Sequence, residues 1–388
     1  MMAGVTVNVQ PAILDWAIQK AQMQATSSSV IDMLARWISG EKTPTFNQIE
    51  DISRKISIPF GYFFLQEPPV EDCQIVDFRT VDSISIQNPS RELIDTVDLM
   101  SSVQEWMADY NKENGASEYA FVGRANIEAG VKETANNIRT ELGLSERWFD
   151  DFKSAADAFK NLREAIMNIG VLVMMNGVVG NNTRRTLSVD EFRAFTLIDK
   201  NAPLIFINSR DTDNGRLFSL LHELAHVWIG KDNFYNDRYG VSQRVSKEEQ
   251  FCNAVAAEIL VPNGIFTAEW SKQTGNTESI IKELEKCFVC SRFVLLRKAL
   301  DTGRIDQTEF GRLLALYQRQ FKSVQEKQKD KTSGGDFYRT LSTKWDHRFV
   351  RALYASAQSG RTPYRDVYRL TNTTGKTFHE LVGKAGGI

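Results

Sequence analysis

The chain has 388 residues, of which 42% are hydrophobic and 25% are charged, and its formal net charge is −2. This length exceeds what one compact core usually supports, so we expect two or three domains, and the ordinary composition excludes a mostly disordered chain. The near-neutral charge excludes a global attraction to nucleic acid or membrane, so any such partner must meet a local patch. Four cysteines are too few for a disulfide framework in a chain this long, which favours the cytoplasm. No signal-peptide pattern and no run of about 18 apolar residues is present, so we expect no membrane partner.

The first part of the chain is predicted to be helical. Apolar residues recur at helical spacing in ILDWAIQKA, VIDMLARWI and FNQIEDISRKI, which makes residues 1–70 a small all-α domain. Residues 71–150 are predicted to be a helical connector that contains one long amphipathic helix, RELIDTVDLMSSVQEWMADYNKEN.

The remainder of the chain is predicted to contain the sheet. Within residues 151–320, the β-prone runs VLVMM, FRAFTLID and PLIFINS predict a small mixed sheet, and LFSLLHELAHVWIG and EEQFCNAVAAEILVP predict two helices after it. Residues 321–340 are polar and predict a linker, and residues 341–388 predict a small helical segment. From residue 331 onward there are ten Lys or Arg against four Asp or Glu. The expected fold class is therefore α+β and mainly helical.

The sequence LHELAHV carries the clearest chemistry in the chain. His222 and His226 are four residues apart in a predicted helix, so both imidazoles project from one face and can share one metal ion. Zinc suits such a site, because neutral imidazoles and a carboxylate leave one tetrahedral position for water. Glu223 is then placed to act as the general base. The alternative is an amphipathic helix with two incidental histidines, although His and Glu are costly in an apolar helix without partners.

A third protein ligand is expected on the helix EEQFCNAVAAEILVP. Glu249 is the best placed, with Asn253 one turn later as a residue that orients His222. Glu248 and Glu258 are competing ligands, and a solvated acidic start of a helix is a further alternative for Glu249.

These residues resemble the ImmA/IrrE family of metallopeptidases. The resemblance covers about residues 155 to 320 and includes IGVLV, EFRAFTLID, APLIFIN, LFSLLHELAHVWIG, the helix ending in AAEILVP, and CFVCSRFVLLRKALDTGRID. It implies that His222, His226 and Glu249 hold zinc and that Glu223 is the general base. Val255 stands where the family commonly has an aromatic residue, which is a packing change away from the ligands.

The resemblance extends upstream and implies partners. WISGEKTPTFNQIEDISRKISIPFGYFFLQEPP is similar to the second half of an Xre/Cro-type helix-turn-helix, and IVDFRTV is similar to the segment that joins it to a peptidase. Residues 1–70 contain five basic and six acidic residues, and the predicted recognition helix near residues 27–34 has no Lys or Arg, so DNA binding and a protein-docking role both remain open. The family implies a selectively cleaved partner, either a helix-turn-helix repressor or an antitoxin-type regulator, within a stress response or toxin–antitoxin system. The alternative function is a DNA-binding regulator or antitoxin-like protein that uses the peptidase fold as a scaffold.

Weaker features leave alternatives open. The strand EFRAFTLID is either an exposed edge on which a peptide docks or a half-buried core strand. Tyr235, Tyr239 and Arg244 are equivalent candidates for oxyanion stabilisation. The CFVC sequence predicts buried thiols rather than a redox or zinc site, and His347 and His379 are not expected to be ligands. The basic C-terminal segment interleaves tyrosines with arginines, a pattern that is consistent with binding of nucleic acid or of an acidic protein. The alternative is a small helical segment with a solvated basic face.

Overall fold

The structure, a computed structural model, describes residues 5–23, 28–56, 58–69, 89–231, 233–235, 246–328 and 337–386. The backbone packs into two compact units, one of residues 1–74 with 88–95 and the other of residues 75–87 with 96–388. Among the described residues, no single helix has the length and apolarity needed to cross a membrane, and only one pair of helices, bent by 56°, meets that test jointly. The predicted fold class, α+β and mainly helical, is confirmed.

The first unit is a small helical domain. Its helices are α1 (Pro11–Met23), α2 (Ser28–Ile38) and α3 (Phe46–Lys55), followed by a 3-10 turn at Phe60–Phe64. Ile13, Leu34, Ile49 and Phe63 are at most 1% exposed and form its core. The segment TPTF begins α3 with a capping box, in which the Thr45 hydroxyl accepts from Gln48 N and the Gln48 side chain accepts from Thr45 N. The predicted recognition helix corresponds to α2, but residues 24–27 lie outside the described residues, so a helix-turn-helix here stays a prediction.

The second unit contains a four-stranded sheet and most of the helices. Its strands β1 (Leu172–Asn176), β4 (Ala194–Leu197), β5 (Leu204–Asn208) and β6 (Asn233–Tyr235) lie in the order β1-β5-β4-β6. β1 and β5 are parallel, and β4 is antiparallel to both of its neighbours. A separate hairpin pairs β2 (Val178–Val179) with β3 (Asn182–Thr186). The three predicted strands are thus confirmed, whereas β2, β3 and β6 were not predicted.

The remaining helices follow along the chain, and those with residues between 131 and 317 contribute to one hydrophobic core. They are α4 (Arg91–Glu113), α5 (Val131–Glu141), α6 (Ala155–Asn168), α7 (Asp213–Ile229), α8 (Lys247–Leu260), α9 (Asn263–Ser271), α10 (Thr277–Leu284), α11 (Arg292–Asp301), α12 (Gln307–Gln328), α13 (Phe337–Lys344), α14 (His347–Gln358), α15 (Tyr364–Thr371) and α16 (Gly375–Lys384). The core that holds α7 and α8 also includes Phe121, Ile138 and Trp148. This core therefore crosses the predicted domain boundary at residue 151. A periodic apolar stripe predicts which face of a helix is buried, but it does not predict what that face packs against.

The predicted linker 321–340 is helical at both ends. Residues 321–328 continue α12 and residues 337–340 begin α13, whereas 329–336 lie outside the described residues. FKSVQEKQ consists mostly of good helix formers, so its polar composition does not prevent it from continuing a helix. The predicted domain boundaries, including those of the linker, stay predictions.

Candidate metal centre

Helix α7 holds two histidines and a glutamate in the interior of the second unit. The Thr212 side chain begins the helix by accepting from Gly215 N. Gly230 ends it in the left-handed conformation, with φ of 76°, and a Cβ there would lie 2.8 Å from Gly123 Cα, so glycine is required. His222, Glu223 and His226 are at most 3% exposed. Burial on every side explains why the sequence around the motif is apolar all round.

Helix α8 packs against α7 and adds a carboxylate. Its Ser246 N-cap accepts from the Glu249 backbone N–H, which fixes Glu249 in the first turn of the helix. Glu249 Oε2 lies 3.2 Å from His222 Nε2, and Glu249 Oε1 lies 3.1 Å from His226 Nε2. The two Nε2 atoms are 3.2 Å apart. Two imidazole nitrogens and both oxygens of one carboxylate, from two helices, therefore converge on one point.

The spacing of these donors fits a small tetrahedral metal ion. Ligands at about 2.0–2.1 Å from a tetrahedral centre are about 3.3 Å from one another, which is close to the three distances above. His222, His226 and Glu249 are the one group of three or more His, Cys, Asp or Glu side chains within the described ranges that is arranged to hold a metal. The donor set of two imidazoles and one carboxylate supplies three ligands and leaves a fourth position open, as in hydrolytic zinc sites.

Glu223 lies beside this donor triangle with a different set of contacts. It is 0% exposed, and its Oε2 accepts a 2.6 Å hydrogen bond from the Thr196 hydroxyl of β4. Its other oxygen, Oε1, is buried and has no hydrogen-bond partner among the described residues. A buried carboxylate oxygen without a donor is costly in a purely structural role, so its placement indicates chemistry.

The local environment shifts the pKa values of the two glutamates of the site in opposite directions. Burial raises the pKa of Glu223 well above its usual value; the Thr196 hydrogen bond opposes this shift, and the charge of Glu249 adds to it. Burial alone also raises the pKa of Glu249, but the contacts with His222 and His226 outweigh it and hold that pKa well below its usual range. Burial lowers the pKa of His226 and keeps its imidazole neutral. Glu249 is therefore set up as a charged ligand and Glu223 as a group that can take up a proton.

The competing carboxylates have other partners. Glu248 is ion-paired with Lys231 at 2.9 Å, and its side chain is 36% exposed. Glu258 is buried, and its carboxylate accepts from Lys298 Nζ at 2.7 Å and from Asn263 N at 3.2 Å. The geometry therefore brings Glu249, and neither neighbour, to the histidines.

The predicted contact of Asn253 with His222 is not formed through the amide oxygen. Asn253 Oδ1 is buried without a hydrogen-bond partner in the described part of the chain. Nε2 of His222 and the carboxylate of Glu249 point at the common centre instead.

Thr196 is a site residue that the sequence did not reveal. It lies in the middle of β4, is 0% exposed, and contacts both the carboxylate and the backbone oxygen of Glu223. The signal in the sequence was a single hydroxyl inside the apolar run FRAFTLID, which a buried strand tolerates only where the hydroxyl has a partner.

Of the two interpretations of EFRAFTLID, the exposed edge is wrong and the core strand is found. β4 is paired on one side with β5 and on the other with β6, and all four of its residues are buried, so the strand is more than half-buried. β6 follows α7 directly in the chain and its three residues pair with Ala194, Phe195 and Thr196. Of the candidates for oxyanion stabilisation, Tyr235 contributes backbone to β6, and Tyr239 and Arg244 lie outside the described residues.

Other candidate residues lie apart from the centre. Cys252, Cys287 and Cys290 are free cysteines, and burial raises the pKa of each thiol. Of the two CFVC thiols, Cys290 is buried as predicted, whereas Cys287 is only partly buried. His347 is half-buried and His379 is exposed, and neither belongs to the donor group.

Comparison with known proteins agrees with this geometry. Residues 169–299 match the peptidase M78 family, described as an IrrE N-terminal-like domain. This match points to a peptidase. The matched range contains His222, Glu223, His226 and Glu249, and it supports the resemblance to ImmA/IrrE peptidases for this part of the chain. Residues 345–384 match a domain of unknown function, DUF8813. No curated protein and no solved structure matched the chain.

Proposed function

We propose that the protein is a zinc-dependent endopeptidase that selectively cleaves a partner regulatory protein. One observation carries the proposal: the fully buried Glu223 carboxylate lies beside three converging metal donors, and one of its oxygens has no hydrogen-bond partner among the described residues. A scaffold without activity has no use for this carboxylate, because burying one of its oxygens without a donor destabilises the fold.

Zinc is the metal that the donor set favours. Two imidazoles and one carboxylate in a tetrahedral arrangement are typical of hydrolytic zinc sites, whereas magnesium and calcium prefer oxygen ligands. His222, His226 and Glu249 would hold the zinc ion, which would supply a Lewis acid and lower the pKa of water to about 7.

The chain's own residues supply the proton transfer. Glu223 takes a proton from the attacking water and returns it to the leaving amine, and its raised pKa brings it closer to that of the groups with which it exchanges protons. The Thr196 hydroxyl holds Oε2, so that the carboxylate keeps one orientation and Oε1 remains available. Thr196 is therefore a positioning residue, and Glu223 is the catalytic one.

The pairing of β4 with β6 supports a narrow range of substrates. A peptide that docks as an added strand needs a free sheet edge near the metal. β4 is the strand that contacts Glu223, and its outer side is occupied by β6. General proteolysis of extended peptides at β4 is therefore disfavoured, which fits the selective partner, a repressor or antitoxin-type regulator, that the family resemblance implies. The three described cysteines are free thiols, which fits the cytoplasm as the compartment.

The test compares cleavage by the wild-type chain and by Glu223→Gln. The purified chain is incubated with the products of neighbouring genes, with and without a chelator, and fragments are identified by mass spectrometry. We expect cleavage by the wild-type chain to require zinc and Glu223→Gln to bind zinc without cleaving. Cleavage at an undiminished rate by Glu223→Gln would refute the mechanism, and a partner that is bound but never cut would favour the scaffold function.

A further inference from the structure

The C-terminal helices α14, α15 and α16 form a small three-helix module of the second unit. This module corresponds to residues 345–384, the range that matches a domain of unknown function. Phe349 and Leu353 of α14, Val367 of α15, and Phe378 and Leu381 of α16 are at most 2% exposed. Its core is thus complete, and the outer faces of its last two helices are exposed.

The connection between α15 and α16 has the form of a helix-turn-helix. α15 ends at Thr371 and α16 begins at Gly375, so three residues make the turn. Asn372 opens it in the left-handed conformation, with φ of 53°, and is the one non-glycine residue with positive φ in the described ranges. Asparagine is the residue that most readily replaces glycine there. A turn of this length between two helices that share a core is one feature of the DNA-binding motif.

The start of α16 is built for a close approach to α15. A Cβ at Gly375 would lie 3.1 Å from the Tyr368 hydroxyl oxygen, so only glycine fits there without displacing that side chain. Tyr368 also packs edge-on against Phe378, with ring centroids 6.4 Å apart. The first turn of α16 therefore lies close to Tyr368 of α15.

The exposed face of these two helices is basic. Lys376 and His379 of α16 are exposed, and the side chains of Arg365 and Arg369 of α15 are 90% and 76% exposed. One carboxylate, Asp366, lies 3.8 Å from each of the two guanidinium groups and cannot neutralise both. Residues 345–384 contain seven Lys or Arg against three Asp or Glu, and one of those three, Asp346, is 0% exposed.

The β2–β3 hairpin lies against the turn and adds charge. Asn181 donates a hydrogen bond to the Asn372 carbonyl, and Lys344 donates to Gly180 O and Asn181 Oδ1. Arg184, on β3 of the same hairpin, is exposed. The turn is therefore held by the peptidase unit, so the module presents its basic face from a fixed position on that unit.

We propose that α15 and α16 form a helix-turn-helix that binds duplex DNA. α16 enters the major groove with Lys376 and His379 near base edges, while Arg365 and Arg369 of α15 contact phosphates. Duplex RNA fits less well, because its major groove is too narrow for side chains to read. An acidic protein is disfavoured, because protein interfaces need buried apolar anchors and Tyr364 is the one large apolar side chain of this module that is exposed.

The first experiment measures binding of the full chain to a fluorescein-labelled 30-bp duplex by anisotropy over a salt series. The test variant carries Arg365→Glu, Arg369→Glu and Lys376→Glu. The control variant carries the same charge change away from this surface, as Lys272→Glu just after α9, Lys286→Glu just after α10, and Arg312→Glu on α12. Circular dichroism spectra and zinc content check that both variants fold.

We expect the test variant to bind at least 30-fold more weakly than the wild-type chain, and the control to stay within threefold. Each lost phosphate contact lowers the magnitude of the slope of log K against log salt by about 0.9. Loss of the two contacts of Arg365 and Arg369 should therefore lower that magnitude by about 2, in the test variant only. Equal losses in both variants, or no loss in the test variant, would contradict DNA binding at this surface. None of these substitutions lies in the first unit, so DNA binding by that unit would be the same in both variants and in the wild-type chain.

The second experiment tests whether the surface reads sequence. Wild-type chain and His379→Ala are each used to select duplexes from a random-sequence library. We expect an enriched motif with the wild-type chain and altered base preference at one or two positions with His379→Ala. Competition by duplex RNA or polyglutamate as strong as that by duplex DNA would overturn the proposal and identify a general polyanion surface. A chelator is expected to leave DNA binding unchanged, so failure here is distinguishable from failure of the peptidase function.

Discussion

The assignment of the third metal ligand leads to a sharp prediction, because adjacent glutamates begin α8 in opposite environments. Glu249 contacts both histidines, whereas Glu248 is paired with Lys231 at the surface. Glu249→Gln removes the charged donor and keeps the size and shape of the side chain. Glu248→Gln is the matched control, since it makes the same chemical change one residue earlier in the same helical turn.

The size of the effect follows from the number of donors. Structural zinc sites with four protein ligands bind with about 10–16 kcal/mol, or about 3 kcal/mol per ligand. Loss of one of three donors is therefore expected to weaken zinc binding by about 100-fold. At a zinc concentration of 100 times the wild-type Kd, the metal stabilises the wild-type chain by about 2.7 kcal/mol and Glu249→Gln by only about 0.4 kcal/mol.

Two assays measure this difference without a substrate. Competition with a chromogenic chelator gives the zinc affinity, and thermal denaturation with and without zinc gives the stabilisation. We expect Glu248→Gln and wild type to behave alike in both. Zinc affinity in Glu249→Gln equal to that of the wild-type chain, or a large loss in Glu248→Gln, would refute the assignment of Glu249 as the ligand.

Three further predictions concern the surroundings of the site. Thr196→Val should retain zinc and lower kcat by at least about tenfold, because a hydrogen bond to a charged group is worth about 1.5–3 kcal/mol. The same variant should shift the acid limb of the pH–rate profile to higher pH, because the pKa of Glu223 rises further without the Thr196 donor. Lys298→Met should destabilise the fold by about 3–5 kcal/mol in urea unfolding, because it leaves the Glu258 carboxylate buried and unpaired. Zinc affinity should stay constant as pH falls from 7.5 to about 6.5, because burial lowers the pKa of His226 and delays its protonation.

Each of these has a control or a contradicting result. A Thr196→Val chain with the wild-type rate and pH profile would remove the hydroxyl from the mechanism, and Thr196→Ser should restore both. The double variant Lys298→Met with Glu258→Gln should recover most of the stability, and a single variant that costs under about 1 kcal/mol would mean that the pair is not structurally important. A zinc affinity that already falls above pH 6.5 would show that His226 protonates as readily as an exposed histidine.

The sequence by itself determined the parts of the site that lie within one helical turn. His222 and His226 are four residues apart, and α-helical geometry places such residues on one face wherever the helix goes. The apolar surroundings of the motif likewise predicted the buried helix, and the β-prone runs predicted β1, β4 and β5. These features depend on local periodicity, which is written in the order of the residues.

Only the tertiary structure decided which distant groups complete the site. Glu248, Glu249 and Glu258 are alike in type and share one helix, and they are separated by what each meets: a lysine at the surface, two imidazoles, or a buried ammonium group. Thr196 meets Glu223 across 27 positions of sequence, and β6 covers β4 because the chain returns after α7. Such contacts arise from the packing of whole elements, and a one-dimensional pattern of apolar and polar residues does not specify which elements meet.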